Sequence, residues 1–430
     1  MTTSNWIKNL PTPIAIIGLG KSGRSALTLL KAIGIKDGDL LTFDHKDASA
    51  MFTNPAELVA KSPRTLIVSP GVSLALDWIQ HLVQQGAIVT SEISLATVFL
   101  TTEKIIGVTG SVGKSTVVSL LGIAAQSEDP NFFLGGNLGI PFCDYALRVF
   151  NKGPVATWIV LELSSYQLEN CSHLKLDLSA ITFLSANHLE RYPDLISYYK
   201  TKLSITAMTK NSCVINSTSL DAVKYLSLAT CPVQLINAKS ALSFDERLKI
   251  TLIGSHNHDN FAVAKTLAEL AGWSLSAIQK MASFQGLSHR LQDVGTYHGV
   301  RFINDSKATA LDSVRVAVEC CLEKITSPHL LYLLLGGKDK NLPWVELSVF
   351  KKDSRIQVIF FGSCGSVAKE LSGLSGQVFE TLGAAIDSSL KLARAEDIVL
   401  LSPGGTSLDE FKNFEDRGDY FKTKVISYFK

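Results

Sequence analysis

The densest cluster of reactive residue types is Gly107-Val-Thr-Gly110-Ser-Val-Gly113-Lys114-Ser115-Thr116, between the apolar run at 104–108 and the apolar stretch VVSLLGIAA. A loop of this kind turns backbone N–H groups toward β- and γ-phosphates. Its Lys neutralises them, and the hydroxyl that follows ligates Mg2+. The usual spacing, G-x-x-x-x-G-K-[ST], needs Gly at 108; here Val108 stands there and the first Gly is one residue earlier, at Gly107. Strand, loop, Lys114 and Ser115 are still in register for ATP, and an unliganded turn leaves Lys114 unexplained. Such a loop needs metal-holding acids from neighbouring strands. Glu162 ends an apolar strand in LELSSYQLE, where an acid rarely stands without a use. His188, in SANHLERYP, ends the next apolar run, as either a second metal ligand or a structural His. Lys202, in YYKTKLSIT, falls on a helix just beyond; its own context suggests only a surface lysine.

A second glycine loop is Gly18-Leu19-Gly20-Lys21-Ser22-Gly23, a G-x-G-x-x-G between a strand and a helix expected from Arg24 to about Ile33. Asp44 follows at the end of LLTFD, at the spacing of a ribose-binding acid. By itself this pattern fits an NAD-type site, another nucleotide-diphosphate loop, or a tight turn; Lys21 favours a ligand bearing phosphate. Gly135-Gly136-Asn137-Leu-Gly139 reads as a glycine-rich turn from which Asn137 could reach a ligand. His256-Asn257-x-x-Asn260 opens a helix with both Asn on neighbouring turns of one face. Further along, Asn304-Asp305-Ser306-Lys307-Ala-Thr309, Gly336-Gly337-Lys338-Asp339-Lys340 and the run from Ser402 to Gly418 each follow an apolar strand. Each alone reads as a capped loop; together they are what an assembled site looks like.

The elements that must hold these loops are short β-branched runs ending in Gly, Ser or Pro, each followed by a helical pattern. They are IAIIGLG (14–20), LIVSPG (66–71), IIGVTG (105–110), WIVLELSS (158–165), AITFLSAN (180–187), LLYLLLGG (330–337), QVIFFGS (357–363) and DIVLLSPGG (397–405). Continuous apolar strands alternating with helices imply parallel sheets covered on both faces, with ligands at the strand carboxyl ends. The fold class expected is therefore α/β. Its 430 residues, at about 100–200 per domain, divide into three: 1–92, 93–286 and 287–430.

Lys plus Arg (41) nearly balances Asp plus Glu (39), for a net charge of +2, which argues against a nucleic-acid or acidic-membrane binder. The 46% hydrophobic and 19% charged composition excludes global disorder. Seven scattered cysteines without a C-x-x-C pair fit neither a zinc site nor a disulfide framework and suggest a reducing compartment. The first twenty residues lack a signal-peptide pattern and no run of about 18 apolar residues occurs, so the expected location is the cytoplasm.

Taken together, GVTGSVGKST, GGNLG, LELSSYQLE, HN-x-x-N, GLSHR, INDSKAT, LLLGGKDK and SPGGTSLDEFKNFEDRG resemble the Mur ligase family, in the family's order and along essentially the whole chain. The one-residue offset of the ATP loop is the family's own form. The resemblance implies Rossmann-like N- and C-terminal domains flanking a central P-loop domain. It implies an ATP-dependent amide ligase of peptidoglycan precursor synthesis, adding D-glutamate to UDP-N-acetylmuramoyl-L-alanine through an acyl phosphate, and acting as a monomer on small molecules. Carried over, Gly110, Gly113, Lys114, Ser115, Thr116, Asn260, Arg290, Asp305 and Lys307 would contact ATP. Two Mg2+ ions would be held by Ser115, Glu162, His188 and a carbamylated Lys202, and Lys114, Glu162, His188 and Lys202 would form the catalytic group. Gly20, Lys21, Ser22, Asp44, His45, Lys46 and Gly71 would surround uracil and diphosphate, with Asn137, Ser164 and Gln167 at the muramoyl-alanine part. Thr309, Lys340, Ser407 and Phe414 would hold D-glutamate. The chain departs from the family's usual residues at Lys21, His45, Ser111-Val112 and Asn187. Competing readings are a sibling ligase or folylpolyglutamate synthetase-like enzyme, a P-loop switch without ligation, and an NAD-dependent dehydrogenase. The last leaves the ATP loop and Glu162 unused.

Overall fold

The computed structural model of the protein describes Ile7 and residues 10–171, 173–185 and 191–430. Three sheets follow one another along the chain. The first comprises β1 (Ile14–Ile17), β2 (Leu40–Phe43), β3 (Thr65–Val68) and β4 (Ile88–Thr90), all parallel, in the order β2-β1-β3-β4. The second holds β5 (Lys104–Thr109), β6 (Phe133–Gly136), β7 (Trp158–Glu162), β8 (Leu176–Ile181), β9 (Thr209–Asn216) and β10 (Val233–Ile236), in the order β10-β9-β8-β5-β7-β6. The third contains β11 (Gln292–Tyr297), β12 (Val300–Asn304), β13 (Leu331–Gly336), β14 (Ile356–Phe361), β15 (Gly376–Phe379) and β16 (Ile398–Gly404), ordered β11-β12-β16-β13-β14-β15. Only β11 runs antiparallel among the described pairings of that sheet.

Strands β1, β7, β13 and β16 are buried along their whole length. Each Ile, Leu or Val taken out of water contributes about 1.5–3 kcal/mol. Polar chemistry is thereby confined to the strand ends. The order reverses beside β1 and beside β5, and such switch points open a crevice at the carboxyl ends. The two glycine loops leave β1 and β5 at those places.

The chain divides into two compact units, residues 1–249 with 259–282 and residues 250–258 with 283–430. The first unit contains the first two sheets. Their helices share one core, in which Leu29 and Leu30 of the Lys21–Ala32 helix join Ile93, Phe142 and Tyr145. The Ser25 hydroxyl also donates to the Asp144 carboxylate. The second unit contains the third sheet.

Three local expectations change. The helix after the first glycine loop begins at Lys21, not Arg24, because the Gly20 carbonyl already accepts the Arg24 N–H at 3.0 Å. The strand expected at 180–187 runs Leu176–Ile181, and residues 182–185 follow its carboxyl end as loop. Gly135 and Gly136, expected in a turn, close β6 beside β7. Gly136 has φ +93°, and a Cβ there would lie 2.4 Å from the Glu162 carbonyl oxygen, so only glycine lets this strand end so close to Glu162.

Candidate active site

In the first unit, β5 delivers its carboxyl end into the Gly110–Gly113 loop, and the Lys114–Glu128 helix starts at once with Gly113 as its N-cap. Gly113 has φ +91°, and a Cβ there would fall 2.3 Å from Asn260 Oδ1. The loop thus needs glycine for both its turn and its contact with Asn260, itself only 5% exposed. The free N–H groups and positive end of this fifteen-residue helix suit an anion. Lys114 Nζ lies back on its own loop, donating to the Gly110 carbonyl at 2.7 Å and the Ser111 carbonyl at 3.0 Å. Ser115 is buried on the first turn, with Thr116 beside it half-buried. The loop is braced from just past β8 and from the Leu195–Leu203 helix: the Thr182 hydroxyl donates to the Val112 carbonyl at 2.5 Å, and Ser111 Oγ lies 2.9 Å from the Tyr198 hydroxyl.

Glu162 ends the neighbouring β7 and is 2% exposed. Its Oε1 accepts from Asn137 Nδ2 at 2.6 Å, whereas Oε2 is buried with no hydrogen-bond partner among the described residues. A buried carboxylate oxygen left in that state costs free energy, and it fits a cation as its missing partner. Lys202, on the Leu195–Leu203 helix, is not a surface residue: it is 2% exposed, with Nζ 4.9 Å from the Tyr198 ring centroid. Burial first, then the nearby Lys114 charge, pushes its amine well below the usual lysine range, and Glu162 opposes that shift. Lys114, Glu162 and Lys202 therefore share one electrostatic neighbourhood. His188 lies outside the described residues.

Ser164 and Gln167 form a reciprocal cap on the short Ser165–Leu168 helix: the Ser164 hydroxyl accepts the Gln167 N–H at 3.2 Å, and Gln167 Oε1 accepts the Ser164 N–H at 2.9 Å. The pair fixes where β7 hands over to that helix, directly after Glu162.

At the first sheet, Asp44 holds the loops together. Its carboxylate accepts the Leu19 N–H at 2.8 Å, the Lys46 N–H at 2.8 Å and the Asp47 N–H at 3.2 Å. These N–H donors, Lys46 first and Leu19 next, hold its carboxyl below the ordinary carboxylate range. An acid so occupied organises the loop. Gly20, Lys21, His45, Lys46 and Gly71 are exposed, and Ser22 is half-buried. The His45 ring stands edge-on to Phe43 at 4.8 Å.

In the second unit, Asp305 follows β12 and is 7% exposed, accepting the Ser402 hydroxyl at 2.8 Å and the Leu291 N–H at 3.1 Å. Burial pushes its carboxyl up to about 7, against those two donors and the Arg290 charge. Lys307 Nζ sits 4.9 Å from the Phe414 ring centroid. The Lys338 and Thr406 backbones pair at 2.8 and 2.9 Å, which sets the loop carrying the exposed Lys340 against the one carrying the buried Ser407. Thr309 is half-buried just beyond Lys307.

Sequence reasoning gave no role to Arg417, which is 1% exposed. Its guanidinium donates to the Ser306 hydroxyl at 3.0 Å, the Ser306 carbonyl at 2.8 Å and the Gly405 carbonyl at 3.1 Å, tying the Asp305 loop to the one after β16. The available signal was an Arg inside an otherwise polar, capped motif.

The sequence matches the family model of the Mur ligase middle domain over residues 108–244. It is 33% identical to the UDP-N-acetylmuramoylalanine–D-glutamate ligase of Myxococcus xanthus, over 96% of this chain and 97% of that one. It is 34% identical to the ligase of the same name from Haemophilus ducreyi, over 95% and 96%. Among solved structures it is similar in fold to the MurF ligase of Thermotoga maritima in complex with ADP, with TM-score 0.60 at 15% identity over 87% of this chain and 91% of that one. With relatives at that identity from end to end, the chain belongs to the Mur ligase family, in the group of the UDP-N-acetylmuramoylalanine–D-glutamate ligases.

Proposed function

We propose that the enzyme joins D-glutamate to UDP-N-acetylmuramoyl-L-alanine with cleavage of ATP to ADP and phosphate, as a monomer in the cytoplasm. The observation that carries the ligase chemistry is the grouping of half-buried Lys114 after β5 with buried Glu162 at the end of β7 and buried Lys202 of the Leu195–Leu203 helix. The near-full-length relatives named for D-glutamate addition support the choice of substrates. Residues 1–92 would take the uridine nucleotide, 93–286 ATP, and 287–430 the amino acid.

A carboxylate is a poor acyl donor. Its oxygen first attacks the γ-phosphorus, ADP leaves, and an acyl phosphate forms. The amine of D-glutamate then attacks the acyl carbon, and the tetrahedral intermediate expels phosphate to leave the amide. Catalysis of the first step is mainly positioning and charge neutralisation. Lys114, turning from its own loop carbonyls to the phosphates, would supply the charge, with the N–H groups of Gly110 and Gly113–Thr116 as the cradle, since those of Ser111 and Val112 donate to the Phe183 carbonyl. Asn260 would support the same loop, and Arg290, Asp305 and Lys307 would meet the rest of ATP. Asn137, Ser164 and Gln167 would orient the acyl end, with Gly20, Lys21, Ser22, Asp44, His45, Lys46 and Gly71 at uracil and diphosphate. Thr309, Lys340, Ser407 and Phe414 would hold D-glutamate.

The orphaned Glu162 Oε2 and buried Ser115 fit Mg2+, and Lys202 and His188 would complete a two-ion set. An ammonium cannot ligate a cation. The lowered pKa of Lys202 favours its neutral amine, which would add to CO2 with loss of a proton to give a carbamate, a negative oxygen ligand. Bound Mg2+ would offset phosphate charge.

The test is phosphate release from ATP with UDP-muramoyl-L-alanine and, in turn, D-glutamate, L-glutamate, glycine or L-lysine. Release that requires both the acceptor and D-glutamate is expected. Release independent of either overturns the reading.

A further inference from the structure

Arg191 touches both ends of the proposed acceptor path without belonging to either. Its side chain is 11% exposed, and Nη2 meets Glu169 Oε2 at 2.6 Å. Nη1 donates to the Pro70 carbonyl at 3.0 Å. The guanidinium carbon lies 4.1 Å from the Tyr166 ring centroid. The other oxygen of Glu169 accepts the Tyr192 hydroxyl at 2.5 Å, so the anchoring carboxylate is itself held. Pro70 directly precedes Gly71 at the carboxyl end of β3, while Tyr166 and Glu169 belong to or adjoin the helix capped by Ser164 and Gln167. Ser69, Pro70, Tyr166, Gln167 and Arg191 line one cleft. A planar, permanently charged fork on two acceptors and a ring fixes a distance that a single flexible ammonium does not.

We propose that Arg191 is a positioning residue that sets the separation between the Ser69–Gly71 loop and the Ser164–Gln167 cradle. An acceptor seated by its diphosphate then presents its carboxyl beside Glu162 at the distance needed for attack on ATP. The inference rests on the acceptor reading above. Misplacement by about 1 Å costs on the order of 100-fold in rate, so the effect should fall on kcat and leave each end's own affinity intact.

The experiment compares the wild-type enzyme with Arg191→Met, which keeps the stem on Tyr166, and Arg191→Lys, which keeps a charge beside Glu169. Phosphate release with UDP-muramoyl-L-alanine, D-glutamate and ATP gives kcat and KM, and calorimetry with UDP alone reports the nucleotide end. The expected result is a fall in kcat of about 10- to 100-fold in both variants, with UDP affinity and the KM for ATP within about threefold of wild type. Unchanged kcat in either folded variant overturns the proposal. So does a parallel loss of UDP affinity and thermal stability in both, which is what a merely structural brace would give. A wild-type enzyme that fails to turn over this acceptor with D-glutamate instead removes the functional reading itself.

Discussion

Replacing Glu92 with Gln should remove a defined part of the protein's pH-dependent stability. Glu92 opens the Glu92–Thr97 helix, is 3% exposed, and its carboxylate accepts the Cys143 N–H at the start of the Phe142–Phe150 helix. Asp144, next in that helix, is bonded by Ser25 from the Lys21–Ala32 helix, so the carboxylate lies where helices of the first two sheets meet. Burial pushes the Glu92 carboxyl from 4.5 up to about 7, with Asp144 adding to the shift and the Cys143 and Phe142 N–H groups opposing it. A folded-state value raised above the unfolded one gives stability that is fully present below about 4.5 and lost as pH rises through about 7. At about 1.4 kcal/mol per pH unit, the loss between pH 5 and pH 8 comes to about 2.5 kcal/mol. Urea unfolding of wild type and Glu92→Gln at both pH values, followed by tryptophan fluorescence, isolates this part. The pH-independent cost of the substitution cancels in the double difference. A double difference near 2.5 kcal/mol in favour of the variant at pH 8 is expected; parallel pH dependence of the two proteins would refute the buried, neutral Glu92.

Three further outcomes follow from the site. Lys114→Ala should lower the rate of phosphate release by at least about 100-fold while circular dichroism stays unchanged; retained turnover would remove the ATP-loop assignment. Wild-type protein equilibrated with 13C-bicarbonate should give a carbamate carbonyl resonance that is absent from Lys202→Arg, and an identical spectrum from both would exclude the modified lysine. Ser402→Ala removes a donor that lowers the Asp305 pKa, so any inflection that Asp305 contributes to the pH profile of the KM for ATP should move upward from about 7. A downward shift would contradict that geometry.

Much of this enzyme was legible in one dimension because its signals are local. The apolar runs ending in glycine, the register of Lys114 and Ser115 after β5, and the acid closing β7 are written in a few consecutive residues, since strand burial and tight turns restrict residue type at short range. The family motifs added roles in chain order, and the relatives agree with the family. What the chain could not disclose is which polar groups lose their water. Lys202 reads as a surface lysine until the Leu195–Leu203 helix packs it beside Glu162 and Lys114. Asp44 reads as an acid for a ribose, and only the fold brings the Leu19 and Lys46 N–H groups to it. Arg417 and Arg191 gain their roles only from carbonyls brought to them by distant loops. Desolvation and satisfaction of a charged group are sums over everything that surrounds it, and in this protein those surroundings come from strands far apart in sequence. Residue types and spacing therefore determined the chemistry available to the chain, and tertiary packing decided the charge state and partner of each group that would use it.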